Sequence, residues 1–411
     1  MDDVIVDFFL RSQLGFSILL AAIIINVILL AVAYCIYFER KISAWIQERV
    51  GPNRVGPWGL LQPIADGAKF ILKEDIIPAN VDKPLFVLAP FVIMIVALIG
   101  FAAIPWGGQV QIADKLHWVQ VANPDIGLLY ILGVASLGVY GVVLGGWASN
   151  NKYAFYGAMR STAQMLSYEI PMGLGILVVV LTTGHLRLEQ IVLSQISGHE
   201  GGLHVWNALH HPIAFFIVLT CLFAETNRTP FDLAEAEQEL VGGYHTEYSA
   251  MKFGMFFLAE YAHMITGSAF LAVLFLGGWS LDPFGALHQL PGLGWLAWVH
   301  HDTSLTAALV RCLVVFIKVA LFIFFFMWVR WTIPRFRFDQ LMRLAWKALV
   351  PVSLALAAWT TGLVYFGQQT NLVLTLGGNA AIMLIALLVA GAARSEVTGR
   401  QANLPPVTLT R

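Results

Sequence analysis

Apolar runs of about 17 to 27 residues recur along the chain, and this feature decides what it can fold into. Each run is long enough to cross a hydrocarbon core of roughly 30 Å as a helix rising 1.5 Å per residue. Inside lipid a helix satisfies its own backbone polar groups, which an open sheet edge does not. The runs predict spans at about 15–38, 85–104, 126–148, 161–183, 212–226, 252–278, 308–331, 346–366 and 371–391. Composition agrees, because 58% hydrophobic against 12% charged residues is far from a water-soluble balance. The sequence therefore predicts an all-α integral membrane protein, a bundle of about nine transmembrane helices forming one polytopic domain over 1–391. The polar, proline-containing segment 392–411 has no periodicity and is assigned no structure.

In such a protein the placement of charge matters more than the formal net charge of −1, which gives no reason to expect a nucleic-acid partner. Arg40, Lys41, Arg49, Arg54, Lys69, Lys73 and Lys83 follow the first span, and Arg335, Arg337 and Arg343 follow the seventh. Lys152 and Arg160 add to the same side. By the positive-inside rule these loops are cytoplasmic, the N-terminus lies outside, and the segment 392–411 is a cytoplasmic tail. The expected location is a cell (inner) membrane. Ala31-Val32-Ala33 imitates a signal-peptidase site, but the acidic residues before it (Asp2, Asp3, Asp7) and the length of the apolar run favour a retained span.

Redox centres are not expected in the chain itself. Cys35, Cys221 and Cys312 lie singly in predicted spans, without the spacing of a cluster or zinc site. Most of the eleven histidines fall outside the spans, and only His263 lies well inside one, whereas a bis-histidine haem needs two facing imidazoles. His210-His211 and His300-His301 read as exposed loop residues rather than metal ligands.

The first loop, 39–84, is more than a connector. Leu60, Leu61, Ile64, Ala68, Ile71 and Leu72 recur at helical spacing, with Gln62, Asp66, Lys69 and Lys73 opposite. That pattern predicts an amphipathic helix along the membrane surface or against a partner. Ahead of it, the run Gly51 to Gly59 is dense in turn formers and lacks the ending of a phosphate-binding loop. No internal repeat of the transporter kind is evident.

Ionisable residues within spans cost at least about 2.5–3.5 kcal/mol on insertion scales, so each needs a partner, a water path or a function. Glu169 and Glu260 are expected about eight residues into their helices, roughly 12 Å deep and at one level. Glu39 and Glu225 mark the cytoplasmic ends of the first and fifth spans. Lys318, midway along the seventh, is the candidate counter-charge. In 226–251, Thr229 and Pro230 suggest a helix start with Asp232 in a capping position. Asp232, Glu235 and Glu239 then share a face and Glu237 points away. Carboxylates crowded in a low dielectric cannot all ionise, so such groups can pass protons near neutral pH.

At these residues the chain resembles a known family, the H subunit of bacterial NADH-quinone oxidoreductase, the counterpart of subunit 1 of mitochondrial complex I. The likeness is carried by Glu39-Arg40-Lys41 through Arg49-Val50-Gly51-Pro52-Asn53-Arg54 to Gly59-Leu60-Leu61-Gln62-Pro63-Ile64-Ala65-Asp66-Gly67-Ala68-Lys69, and by Ser167-Tyr168-Glu169. It continues in the stretch from Ala224 to Glu237, in Glu247-Tyr248 and Ala259-Glu260-Tyr261, in Trp328-Val329-Arg330, and from Pro334 to Met342. It covers about 15–365, so the span at 371–391 lies beyond the shared core. The resemblance implies a membrane subunit of a proton-translocating oxidoreductase that forms the membrane side of a quinone cavity and a carboxylate path toward proton translocation. Carried over by motif, Glu39, Arg40, Arg54, Asp66, Lys69 and Asp232 surround the cavity, and Glu169, Glu225, Glu235, Glu237, Glu239 and Glu260 form the path. Arg330 and the run Arg335 to Arg337 belong to contacts on the cytoplasmic side. Quinone, ubiquinone among the candidates, is then a substrate. Flavin and iron–sulfur clusters belong to partner subunits of the peripheral arm, beside quinone-site, small membrane and antiporter-like subunits and membrane lipid. One departure is that the third span has no acid after Asp125, so an acidic station of some relatives has no counterpart. The alternatives are the homologous membrane component of an energy-converting hydrogenase without quinone, and a stand-alone ion transporter. The stretches Gly51 to Arg54 and Gln62 to Lys69 favour the quinone branch.

Overall fold

The computed structural model describes residues 12–112, 115–196, 205–233, 241–284, 294, 298–300 and 302–402, with the side chains of the last helix described to Gly391. Among these, eight helices are long and apolar enough to cross a membrane. The helices are α1 (Gln13–Ile46), α2 (Gln62–Leu72), α3 (Lys83–Ile99), α4 (Gly127–Ala148), α5 (Lys152–Thr183), α6 (Leu188–Ser194), α7 (Asn207–His210) and α8 (Pro212–Glu225). They continue with α9 (Ala250–Phe275), α10 (Leu305–Thr332), α11 (Phe338–Leu344), α12 (Val350–Tyr365) and α13 (Leu372–Ala402). Among the described residues the only strands are the short hairpin of β1 (Gln109–Ile112) and β2 (Lys115–Trp118). Many large apolar side chains point outward, among them Leu309, Leu321 and Phe324 on α10 and Leu384 and Leu387 on α13. A lipid solvent requires that of a bundle surface, so the chain is a multi-pass membrane protein.

Bonds between helix ends fix the direction of each pass. Asp82 donates from its backbone N to Ala148 O at 3.2 Å, so α3 begins where α4 ends. At the other end, Leu128 N reaches Leu186 O at 3.1 Å, Gln111 N reaches Thr303 O at 2.8 Å, and Trp118 N reaches Gln13 Oε1 at 3.3 Å. The ends of α3, α5 and α9 and the starts of α1, α4, α8 and α10 therefore gather at one pole, called here the far end. The other pole, the charged end, holds the end of α1, all of α2, and the starts of α3, α5 and α9.

The expected spans need four corrections. The fifth crossing, α8, has only 14 residues, about 21 Å of helix and short of a bilayer core. Its chain nonetheless runs from the far to the charged end, and Thr226, Asn227 and Arg228 complete the passage as buried irregular backbone. The fourth helix begins at Lys152 rather than near 161, capped by Asn151 Oδ1 on Tyr153 N at 2.9 Å. Glu169 thus lies seventeen residues, about 26 Å, along α5, while Glu260 lies ten residues, about 15 Å, along α9. The common depth inferred for them fails. The first helix continues to Ile46, which makes Glu39, Arg40 and Lys41 helical. The last helix continues to Ala402, into the segment expected to lack structure.

Small residues let the passes approach closely. A Cβ on Gly146 of α4 would stand 2.3 Å from Ala158 Cβ of α5, and one on Gly141 would stand 2.8 Å from Ile93 Cβ of α3.

Candidate functional site

Three helices carry acids and arginines to one place at the charged end. Glu39, in the last turns of α1, is buried and meets Arg330 of α10 in an ion pair, Arg228 Nη1 at 3.5 Å, and the hydroxyl of Tyr261, which donates at 2.6 Å. Arg228 lies in the irregular stretch after α8, its guanidinium 4.1 Å from the centroid of the Tyr261 ring. On α9, Glu260 accepts from the Tyr244 hydroxyl at 3.0 Å. Asp232 pairs with Arg335 at 2.7 Å. Glu39, Glu260 and Asp232 thus stand against Arg228, Arg330 and Arg335, a balance of three and three.

Asp232 follows the fifth passage, and its environment shows how closely the set is coupled. Burial pushes the Asp232 carboxyl up; Arg335 opposes this, Glu260 adds to it, Arg330 opposes it, and the net shift is upward. Arg228 interacts electrostatically with Tyr261, Glu39 and Glu260 together. The cluster also keeps unspent capacity, since Arg228 Nε and Nη2 and Asp232 Oδ1 are buried without a hydrogen-bond partner among the described residues.

An apolar cavity of about 360 Å³ runs below the cluster between α1, α9 and α10. Ile28, Tyr34 and Phe38 line it from α1, and Phe316, Phe324 and Met327 from α10. Phe38 and Phe324 are more than half exposed, so the cavity opens on the bundle surface. At its charged end Phe38 adjoins Glu39 in sequence, and Met327 is one turn from Arg330.

A second ionic group adjoins the first through Arg40, which reaches Asp66 of α2 at 2.6 Å. Lys69 lies 3.9 Å from Asp66, and Gln62 Nε2 donates to it at 3.2 Å. The polar face of α2 therefore turns toward α1, Phe70 packs on Phe253, and Ile64, Ile71 and Leu72 face outward. That arrangement matches an amphipathic surface helix. Arg54 is exposed and has no ion pair among the described residues.

The remaining acids divide. Glu225, at the end of α8, lines a separate small cavity and is electrostatically coupled to Glu169, which also interacts with Ser136 of α4. Glu235, Glu237 and Glu239 lie outside the described residues. The helix start at Thr229 is not formed, since residues 226–233 are turns and irregular backbone and Asp232 meets Arg335 instead of a helix N-terminus. Among the described residues Lys318 pairs with no glutamate. Its ammonium donates to the carbonyls of Leu276 at 2.6 Å, Gly278 at 2.7 Å and Ser280, and sits 4.5 Å from the Trp206 ring centroid. It ties the turn after α9 to α10.

The histidines expected to be exposed are buried. His210 and His211 touch at 3.1 Å, and Thr182 Oγ1 lies 2.8 Å from His211. Burial pushes His210 down to about 4 and His211 to about 3, the latter helped by its neighbour. His300 is also buried, and His301 lies outside the described residues. Among the described residues no group of three potential ligands is arranged for a metal, and the three cysteines are unpaired.

The sequence reading missed Gln164 altogether. Its Nε2 donates to Ala224 O at 2.7 Å and Phe231 O at 2.9 Å, closing the stretch that carries Arg228 and Asp232. A buried amide on a helix facing an interrupted one is the only signal that points to it.

Fold and cluster together define a polytopic helical membrane protein with a balanced ionic site over an apolar cavity. The model of the NADH dehydrogenase family matches residues 19–361, and the chain belongs to that family. An H subunit of NADH-quinone oxidoreductase from Cytophaga hutchinsonii is 48% identical over 80% of this chain and 91% of its own length. The H subunit of Leptospira biflexa is 50% identical over 79% and 88%, and that of Wolbachia pipientis 45% over 82% and 94%.

Proposed function

We propose that the chain is the H subunit of a proton-translocating NADH-quinone oxidoreductase, and that it forms the membrane side of the quinone cavity. The observation that carries this reading is the apolar cavity between α1 and α10, open at the bundle surface, whose lining includes Phe38 and Met327 beside Glu39 and Arg330 in the chain. An isoprenoid tail needs an apolar slot open to lipid. A quinone head needs hydrogen-bond donors and acceptors, and the neighbouring cluster holds buried atoms of Arg228 and Asp232 without a partner among the described residues. Asp66, Arg40 and Lys69 form the rim beside α2. The names borne by the relatives support quinone as the substrate class and assembly with further subunits of the oxidoreductase.

In this reading NADH oxidation, flavin and iron–sulfur clusters belong to partner subunits. This chain binds quinone and handles protons. The three-and-three cluster is neutral, so electrons delivered to a quinone beside it unbalance the charge and raise the proton affinity of coupled acids. Glu260 belongs to that cluster, while Glu225 and Glu169 lie further along the carboxylate path. The basic residues of α2, of the α4–α5 turn and of α11 all gather at the charged end, which supports a cytoplasmic placement for it, the N-terminus outside and the C-terminus inside.

Two measurements on the assembled complex test the proposal. A photoreactive quinone analogue labels α1 near Tyr34 to Ile42 or the stretch 226–233, and labelling confined to other subunits overturns the cavity assignment. Glu169→Gln and Glu260→Gln lower protons translocated per electron, and full pumping in both removes the acid path.

A further inference from the structure

Among the described residues the acids of the proposed path form two separate sets. Glu260 is coupled to Arg228 and Asp232 at the quinone side, whereas Glu225 is coupled to Glu169 on the far side of α8. No carboxylate among the described residues bridges them. The third span, where a further acid would fit, presents Ile131, Leu132 and Ala135 at this point.

The gap is filled by a small space of about 40 Å³ between α4, α5, α8 and α9, lined by Glu225, Thr226, His263 and Thr266 among apolar side chains. That volume holds about two or three waters at ~15 Å³ each, and the polar groups of its wall suffice to hold them. His263 is three residues after Glu260 on α9, one turn farther from the charged end, and residues at that spacing share a helix face. Its ring has no hydrogen-bond partner among the described residues. It lies against Gly138 of α4, whose added Cβ would meet Nε2 at 3.6 Å. Around the cavity α4 and α5 contribute only apolar side chains, and α8 contributes Glu225 as the one other titratable group.

We propose that His263 is the relay that carries a proton between Glu260 and Glu225 through water in this cavity. The proposal rests on the acid path put forward above. One ring nitrogen takes a proton from the Glu260 side, forming an imidazolium. The other nitrogen releases its own proton to cavity water and so to the Glu225 carboxylate, and a turn of the ring about its Cβ–Cγ bond then restores the starting tautomer. The histidine does for this chain what a carboxylate on the third helix would otherwise do.

The test is made in the assembled complex reconstituted in vesicles, with NADH-to-hexacyanoferrate activity as the measure of assembly. His263→Gln keeps polarity and size but cannot carry a proton; it is expected to lower coupled quinone reduction about a hundredfold, the low end of what a lost acid–base group costs. His263→Glu restores a group that can take up and release a proton and is expected to recover turnover. Equal impairment of both variants, which marks a packing role, overturns the proposal. So does wild-type pumping with an unchanged profile in His263→Gln. When Glu225→Gln loses pumping and His263→Gln does not, the histidine assignment alone falls. When Glu225→Gln and Glu169→Gln both pump fully, the acid path falls and takes the relay with it.

Discussion

Removing the charge of Glu39 tests the cluster most directly. Glu39→Gln preserves volume and can still accept from the Tyr261 hydroxyl, so the change isolates electrostatics. The lost partner matters most to Arg228, which is buried and 3.5 Å from Glu39 Oε2. At an effective dielectric of ~20 that attraction is about 5 kcal/mol. Breaking buried pairs on one side costs about 3–5 kcal/mol. Arg330 contributes less, because its side chain is one-third exposed and can turn to solvent. The remaining attraction of Glu260 for Arg228 offsets part of the loss, so the expected cost is about 3 kcal/mol, the low end of that range. The assay is the thermal midpoint of the purified complex together with its yield on native gels. Arg228→Gln added to Glu39→Gln removes the stranded charge and should restore part of the midpoint, with a coupling energy above ~1 kcal/mol. A normal midpoint in Glu39→Gln, or purely additive losses in the double variant, would refute the pairing as a determinant of stability.

Three further outcomes follow from the same geometry. Lys318→Met strands three carbonyls, of Leu276, Gly278 and Ser280, and should destabilise by on the order of 3 kcal/mol while leaving protons per electron unchanged in the complex that assembles, since its partners among the described residues are carbonyls. His210 and His211 are held neutral with values near 4 and 3 against an ordinary 6.5. The unfolded chain therefore binds protons first as pH falls. Their stabilisation is complete above about 6.5, declines from there toward 4, and the decline flattens in the double glutamine variant, as melting across pH 8 to 4.5 should record. Gln164→Leu unsatisfies Ala224 O and Phe231 O at about 1–3 kcal/mol each and should raise the KM for quinone while sparing NADH-to-hexacyanoferrate activity.

What the sequence made legible was set by solvent. Apolar run length located the long passes, because lipid permits few alternatives. The alternation of α2 was readable for the same reason: Ile64 and Ile71 on one face and Asp66 on the other leave a single way to lie at a surface. Pairings were not readable. Lys318 lies among apolar residues of α10 just as a functional charge would, and only the turn at 276–280, folding back over Trp206, shows that its partners are carbonyls. His210 and His211 read as loop residues because their stretch is short, yet Thr182 and the neighbouring helices close over them. Arg228 was visible inside a motif, but its pairing with Glu39 spans 189 positions of chain.

The interrupted fifth pass explains why the site lies where it does. A full-length helix at this position would carry Glu225 and the following residues along one axis and satisfy every carbonyl internally. Ending after 14 residues, α8 releases Thr226 to Leu233 as irregular backbone inside the bundle. Such backbone is tolerated at membrane depth only where protein supplies its partners. Gln164 supplies them for Ala224 and Phe231, and Phe336 N donates to Pro230 O at 3.2 Å. The released stretch can then turn Arg228 toward α1 and Asp232 toward Arg335, directions that no single helix face could offer together. Glu225, left at the truncated helix end, faces the opposite cavity with His263. Among the described residues, the early end of this helix thus puts Glu225 at the small cavity and Arg228 at the ionic cluster.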